Sequence, residues 1–508
     1  MRRFWPAICC AWFVALCCLI MGYPGIENDE SLFTSVLYQP YDAGPAHSAI
    51  GVFHVRAPLM LMTYVGTLKT LLYEPVFRIF APSVTSIRLP PVLAGAVTIW
   101  LFYLVAMRIA GIRAAVVAAV LFSTDVMFIL TNTFDWGPVA LQHLLLVGGL
   151  LAFLKFHESR RTQMLALGCF LFGLAAWDKA LFLWSLGGIG IATLVVFPRE
   201  VMRHLSLRNA GIAAACFIAG SAPLLIYNVR SHGGTIMGNA SLAPENLAGK
   251  VDSLRDTLDG TGMLGYITFD DPALSLRKTY TEPLFIAAVL LLPLLWFTSA
   301  RRPLVFALVF LFVSWIQMAL TKGTGGSVHH VVLLWPFPFL FIAMAFAEAS
   351  QRLGRFGLPA LTIIIGFAAW QNFRVYDQYW NEFIRHGVRG VWSDAMYPLN
   401  ERLKSYRSKD LYVTDWGLIN PLRLLGQGSL KLHDLSFGLE AGVRANIVEQ
   451  MSNPDHVFID NTPEYAVFKN ARNHLSEWTD EAGYKPLLLE TVNDSKGRPV
   501  YQLFSYRR

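Results

Sequence analysis

The chain is short of charge. Only 15% of its 508 residues are Asp, Glu, Lys or Arg, against about 25% in soluble domains. Hydrophobic residues make up 54%, and the mean hydropathy is +0.44. That balance excludes a string of soluble globular domains. Cysteine is also scarce. Of six, Cys9, Cys10, Cys17 and Cys18 lie in the first apolar run and Cys169 and Cys216 in later ones, so no disulfide framework is implied. No Gly-x4-Gly-Lys-Ser/Thr loop is present, which argues against an ATP-driven pump. His-Glu-x-x-His, paired Cys-x-x-Cys and Gly-x-Ser-x-Gly elements are missing as well.

What is present are apolar runs close to the length that crosses a bilayer. They fall at 4–22, 89–107, 114–131, 138–154, 163–177, 180–197, 209–227, 283–299, 303–320, 329–347 and 356–370, about eleven in all. Alternate connections carry the cations: Arg2-Arg3, Arg108 with Arg113, Lys155 with Arg160-Arg161, Arg199 with Arg203 and Arg208, Arg301-Arg302, and Arg352 with Arg355. The positive-inside rule then predicts a cytoplasmic N-terminus and an extracytoplasmic C-terminus, in a multi-pass protein of the cell membrane, in a bacterium the inner membrane. The net charge of +7 is thereby explained by topology, and a nucleic-acid partner is not indicated. Met1-Arg2-Arg3 and the first run also suit a signal peptide, but no small-x-small cleavage site follows, and a retained helix is favoured.

Three stretches are expected outside the membrane. The first exterior loop, 24–88, contains apolar residues over 58–80 that suggest interfacial helices. A second, 229–281, includes an amphipathic helix over Glu245–Leu258. From 371 charge returns and long apolar runs stop, predicting a membrane domain over 1–370 and a small α/β domain over 371–508. Its strands are expected at 410–414, 456–459 and 500–504, with a helix over 441–451 and a hairpin turn at Lys496-Gly497. The fold class is thus an α-helical polytopic membrane protein with a C-terminal α/β exterior domain.

The expected exterior ends of the helices gather ionisable groups. Glu27-Asn28-Asp29-Glu30 follows the first run, and carboxylates at a bilayer edge are costly enough to suggest function. Arg56 precedes Pro58, Asp135 lies in Thr133-Phe134-Asp135-Trp136, and Asp178-Lys179 separates two runs. Arg230 and His232, then Lys322, His329 and His330, lie at further ends. Acids with cations suit group transfer from a lipid phosphate: cations hold the phosphate as charge develops on it, and a carboxylate takes the acceptor's proton. Blander readings stand beside these. Asp135 suits a helix cap before Pro138, Arg56 suits a headgroup contact, and Lys179 can pair with Asp178. A divalent metal at Asp29, Glu30 and the histidines is left open, since no spacing demands one. Trp136 and Tyr64 are candidates to line a sugar or lipid groove. A polytopic transporter or flippase for a lipid-linked or anionic substrate is the alternative function, although its ionisable groups would more often sit at mid-helix.

The segments PGIENDESLF, RAPL and APSVTSIRLPPVLAGAVTIWLFYLVAMRIAG resemble the first loop and second helix of the class C (GT-C) membrane glycosyltransferases. They are most similar to the group holding lipid A aminoarabinose transferases and protein O-mannosyltransferase relatives. GLAAWDKALFLW, APLLIYNVRSHGG and SVHHVVLLWPFPFLFIA resemble later segments of that family, with Arg56-Ala57 in place of Lys-Pro and Ala180 where Gly is usual. The resemblance implies transfer of a sugar from a polyprenyl-phosphate donor to a glycan, lipid or protein acceptor outside the cytosol, with inversion. It implies Asp29 as base, Asp135 as a supporting acid, and Arg56 and Lys179 as contacts to the carrier phosphate. Glu30 joins the candidate catalytic set, and Arg230, His329 and His330 the candidate phosphate contacts.

Overall fold

The computed structural model describes residues 4–38, 48–52, 55–239, 241–242, 245–269, 274–444 and 447–508. Helix α1 (Phe4–Ile20) is apolar throughout and leads into the short α2 (Asn28–Ser35). The start of α2 is fixed by reciprocal capping: the Glu27 carboxylate accepts the Asp29 and Glu30 N–H groups, and Glu30 accepts the Glu27 N–H. Strands β1 (Ser48–Val52) and β2 (Val55–Met60) form an antiparallel hairpin, and α3 (Leu68–Ile79) follows with Leu71, Leu72 and Ile79 exposed. The interfacial helix expected over 58–80 therefore begins only at Leu68. Pro58 bars Ala57 from helical backbone and leaves 55–60 extended.

The membrane helices come next. A Ser83–Ser86 capping box opens α4 (Val84–Thr124), and Gly111 at φ 78° interrupts it between two of the apolar runs. Asp125 caps α5 (Val126–Thr133); α6 (Val139–Ser159), α7 (Thr162–Asp178) and α8 (Phe182–Val196) follow. α9 (Pro198–His204) turns from α8 by 100°. Beyond it lie α10 (Leu207–Arg230), α11 (Gly234–Asn239) and α12 (Leu247–Leu258), the last close to the amphipathic helix expected there. The set closes with α13 (Thr281–Leu290), α14 (Leu292–Leu295), α15 (Arg301–Leu320), α16 (Val328–Val331), α17 (Phe337–Arg352) and α18 (Gly357–His386). Each apolar run in the sequence lies on helix. Among the described residues five helices are long and apolar enough to cross a membrane singly, and two bent pairs qualify together. Glycines let α7 and α10 cross closely: a Cβ at Gly173 of α7 would lie 2.3 Å from the Phe217 carbonyl of α10, and one at Gly220 would lie 2.4 Å from that of Phe170.

The change of composition at 371 falls inside α18, which runs on to His386. The membrane core extends through Trp392, and a separate core begins at Ala395. In this second unit α19 (Met396–Leu403), β3 (Asp410–Val413), α20 (Ile419–Leu425), β4 (Lys431–Asp434), α21 (Ser436–Glu440), α22 (Ile447–Met451), β5 (Val457–Asn461), α23 (Lys469–Glu481), β6 (Lys485–Asn493) and β7 (Pro499–Arg507) follow in order. The sheet order is β4-β3-β5-β7-β6, with β3 parallel to both neighbours and β7 antiparallel to β5 and β6. The expected strands and terminal hairpin are present. The helix expected over 441–451 is confined to α22: Gly442 at φ 73° breaks the helical path after α21, and 445–446 lie outside the described residues.

This unit is fastened to α2. Ser35 Oγ donates to Asn420 Oδ1 of α20 at 3.2 Å. Gly428, at φ 69°, lies so close to Tyr38 that a Cβ would come within 2.1 Å of its carbonyl oxygen.

Candidate functional site

Of the acids in the Glu27–Glu30 knot, two are committed to structure. Glu27 caps α2 and is buried. Glu30 is gripped by Arg88, whose Nε and Nη2 donate to its two oxygens at 2.7 and 2.8 Å. Arg88 Nη1 donates to the Met21 and Pro24 carbonyls and Nη2 to that of Gly25, so all five guanidinium donors are used by one turn of chain. Asp29 is left partly exposed between buried Asn28 and Glu30. Asn28 Nδ2 donates to its Oδ1 at 3.2 Å. Dense surroundings push its carboxyl up to about 6, opposed by the Asn28 bond and the positive charge of Lys179.

Asp135 lies at the head of α6. Its Oδ1 accepts the Val139 and Ala140 N–H groups at 2.8 and 3.3 Å, so it is a helix cap. Its Oδ2 is paired at 2.8 Å with Lys69 of α3, which also donates to the Asp135 carbonyl at 2.7 Å. Both groups are buried, and the Lys69 ammonium lies 4.4 Å over the Phe33 ring of α2. The two acidic elements of the site are thus locked together through Lys69.

Lys179 stands at the end of α7. Residues 64–66 run beside it as a strand-like strap: Gly66 N–H donates to the Asp178 carbonyl, and Ala180 N–H to that of Tyr64. Trp177 Nε1 donates to the Leu59 carbonyl at 2.9 Å, and Gly66 is tight enough that a Cβ would lie 2.1 Å from the Trp177 oxygen. Lys179 is 2% exposed, and burial lowers its ammonium to about 8 against the pull of Asp135, Asp178 and Asp29. Among the described residues its Nζ makes no hydrogen bond. Gly137 lies beside it: a Cβ there would be 3.2 Å from Lys179 Nζ and 3.6 Å from the His329 ring.

His329 bonds Ser327 Oγ through Nδ1 at 2.6 Å, while Nδ1 of the adjacent buried His330 has no partner among the described residues. Trp136 contacts His329, Tyr266 and Trp392 edge-on or tilted, at centroid distances of 5.7, 6.2 and 5.5 Å. Tyr64 and Tyr266 both feel the charge of Asp29. Asp29, Asp135, Lys179, His329 and His330 therefore gather at one end of the helices, walled by Tyr64, Trp136 and Tyr266. Glu30 faces Arg88. Arg230 is exposed and donates to the Ala49 carbonyl of β1 at 3.4 Å. Arg56 is in β2, and its side chain lies outside the described residues. Among the described residues no three His, Cys, Asp or Glu are arranged to hold a metal ion.

Sequence reading missed Lys69 and Arg88. Lys69 had one signal, a lone cation in the apolar stretch Leu68–Tyr73. Arg88 was visible in SIRLPP, but its partner lies 58 positions away.

Residues 68–227 match the protein family described as dolichyl-phosphate-mannose-protein mannosyltransferase. No curated protein matches the sequence. In fold, the chain is similar to ArnT from Cupriavidus metallidurans bound to undecaprenyl phosphate, with TM-score 0.60, 13% identity, and 99% of this chain and 97% of that one covered. It is similar to the Archaeoglobus fulgidus oligosaccharyltransferase in complex with Zn and sulfate, with TM-score 0.57, 13% identity, and coverage of 99% and 72%. It is also similar to the archaeal oligosaccharyltransferase AglB from Archaeoglobus fulgidus in complex with an inhibitory peptide and a dolichol-phosphate, with TM-score 0.56, 12% identity, and coverage of 100% and 74%. The resemblance read from the sequence is borne out by these matches.

Proposed function

We propose that this membrane glycosyltransferase of the class C (GT-C) type moves a sugar from a polyprenyl-phosphate donor to an acceptor hydroxyl or amine on the extracytoplasmic face, with Asp29 as general base. One observation carries the reading: Asp29 is the partly exposed acid of its knot and lies near enough to Lys179 for their charges to interact, while Glu27 and Glu30 are consumed by capping and by Arg88. The bound lipid phosphates of the similar structures support a carrier of that class.

In the proposed reaction the acceptor oxygen or nitrogen attacks the anomeric carbon from the side opposite the phosphate. Asp29 takes its proton as the new bond forms. The anomeric C–O bond breaks, and the electron pair leaves on the carrier phosphate. Lys179 supports that growing charge, with His329 and His330 beside it. Burial makes a fixed ammonium more effective there than in water, because no reorganisation is needed during the step. Asp135 acts as a positioning residue through Lys69, and Glu30 as one through Arg88. Arg56 and Arg230 are assigned as further contacts to the carrier phosphate.

The proposal is tested by mass spectrometry of cell-envelope lipids and glycans with and without the protein. Loss of one glycosylated species, restored by the wild-type chain but not by Asp29→Asn, is expected. An unchanged glycan profile, with an altered distribution of a lipid-linked sugar across the membrane, would favour transport instead. The orientation has its own test. Single cysteines near 250 and 450 should react with an impermeant reagent from outside, and those near 204 and 353 should not.

A further inference from the structure

A cavity of about 560 Å³ opens where the α3–α4 turn meets the C-terminal unit. None of its lining residues is among the groups gathered around Asp29 and Lys179. Its walls are Pro82 on one side, α19 with its continuation to Arg407 on another, and the α20–β4 turn on the third. Its volume is in the range of small-molecule sites, about 300–1,000 Å³, and far above what one ion needs.

The polar groups point to a particular chemistry. Glu401 and Lys404 form an ion pair with an Nζ–O separation of 2.5 Å, so their charges cancel. Arg407 keeps its charge and makes no hydrogen bond or ion pair among the described residues. Asn400 is only 6% exposed, yet its Oδ1 has no donor among the described residues. Gln427 lines the opposite wall, in the left-handed turn (φ 49°) that ends α20. Amide side chains both donate and accept, as neighbouring sugar hydroxyls do. Arg407 supplies a planar cationic fork for an oxyanion.

We propose that this cavity binds an anionic saccharide, a sugar carrying a phosphate or carboxylate, with Arg407 on the oxyanion and Asn400 and Gln427 on the hydroxyls. The site is independent of the transfer chemistry assigned to Asp29. The ligand has two sources, a soluble sugar anion or the headgroup of an anchored glycolipid. The exposed Ile79 and Phe80, two to three residues before Pro82, give an apolar approach for the second.

The test is titration calorimetry of the full-length protein in neutral detergent with glucose 1-phosphate, glucose and inorganic phosphate. Saturable binding of glucose 1-phosphate is expected, at least tenfold tighter than that of glucose or phosphate. Arg407→Gln should weaken it tenfold or more, Arg407→Lys should weaken it less, and Asp29→Asn should leave it unchanged. Arg407 is exposed, so the thermal midpoint should not move in either variant. No saturable binding, or binding lost in Asp29→Asn and kept in Arg407→Gln, would overturn the proposal. Repeating the titration in nanodiscs separates the sources. If phosphatidylglycerol bearing added anionic glycolipid blocks the probe in wild type, the ligand is membrane-anchored. If the probe still binds, the ligand is soluble.

Discussion

Arg88 holds Glu30 through both carboxylate oxygens while its remaining donors tie down the carbonyls of Met21, Pro24 and Gly25. One side chain, 0% exposed, thereby fixes the exit of α1, the start of α2 and the first turns of α4 in a single arrangement. Asp29 owes its direction to this knot, since it is held between the Glu27 cap and the Glu30 pair.

Breaking that pair from one side should be costly. Arg88→Met leaves a buried carboxylate without its partner, a loss of about 3–5 kcal/mol. The double variant Arg88→Met with Glu30→Leu should recover part of the thermal midpoint, because no lone charge remains. Detergent thermal-shift measurements on both check this. Equal midpoints for the single and double variants would mean that the ion pair is not the main contribution of Arg88.

Asp135→Asn should lower turnover by roughly tenfold, less than Asp29→Asn, at about 100-fold or more. An Asn at 135 can still cap α6 through its oxygen, and Lys69 can still donate to the main-chain carbonyl. Lys69→Met should hurt more than Asp135→Asn, because it leaves the buried Asp135 charge unpaired. Initial rates and midpoints for the three variants decide the order.

The raised carboxyl of Asp29 gives a pH signature. A base must be ionised to act, so kcat/KM should fall as pH drops through about 6, approaching tenfold per unit below that. The folded protein disfavours the charged form, so the limb lies above the ordinary carboxylate range rather than near 4. Asp29→Asn should lack the limb. Its survival in that variant would assign it to another group.

Gly137→Ala places a methyl group 3.2 Å from Lys179 Nζ. The ammonium ends a flexible chain and can move aside, so stability should change little. Its phosphate contact should move with it, raising the KM for the lipid donor severalfold while acceptor KM stays nearly constant. Equal changes for both substrates would count against Lys179 as a donor contact.

Helix positions were legible because spanning runs must be apolar over a fixed length, which any sequence displays directly. Strands β3, β5 and β7 were legible from their short β-branched and aromatic runs, whereas β4, with the sequence Lys-Leu-His-Asp, offered no such run. The first exterior loop shows where apolarity misleads: helix is expected from 58, but Pro58 keeps Ala57 extended, β2 runs to Met60, and the helix begins only at Leu68. At the site, Asp29 stood out as an acid at a membrane edge, whereas its separation from Glu30 could not be read. Both are carboxylates on adjacent residues, and Arg88, brought to them by the fold, distinguishes them. Lys69 and Asp135 were likewise divided by 66 positions, so no local pattern joined them.

The most direct test of the account is turnover by the purified protein with a polyprenyl-phosphate sugar and envelope extract as acceptor source, comparing wild type with Asp29→Asn at matched thermal midpoints. The account requires a new glycosidic product and release of polyprenyl phosphate from wild type, and a rate at least about 100-fold lower from the variant. Near-normal turnover by a folded Asp29→Asn protein at saturating acceptor would contradict it.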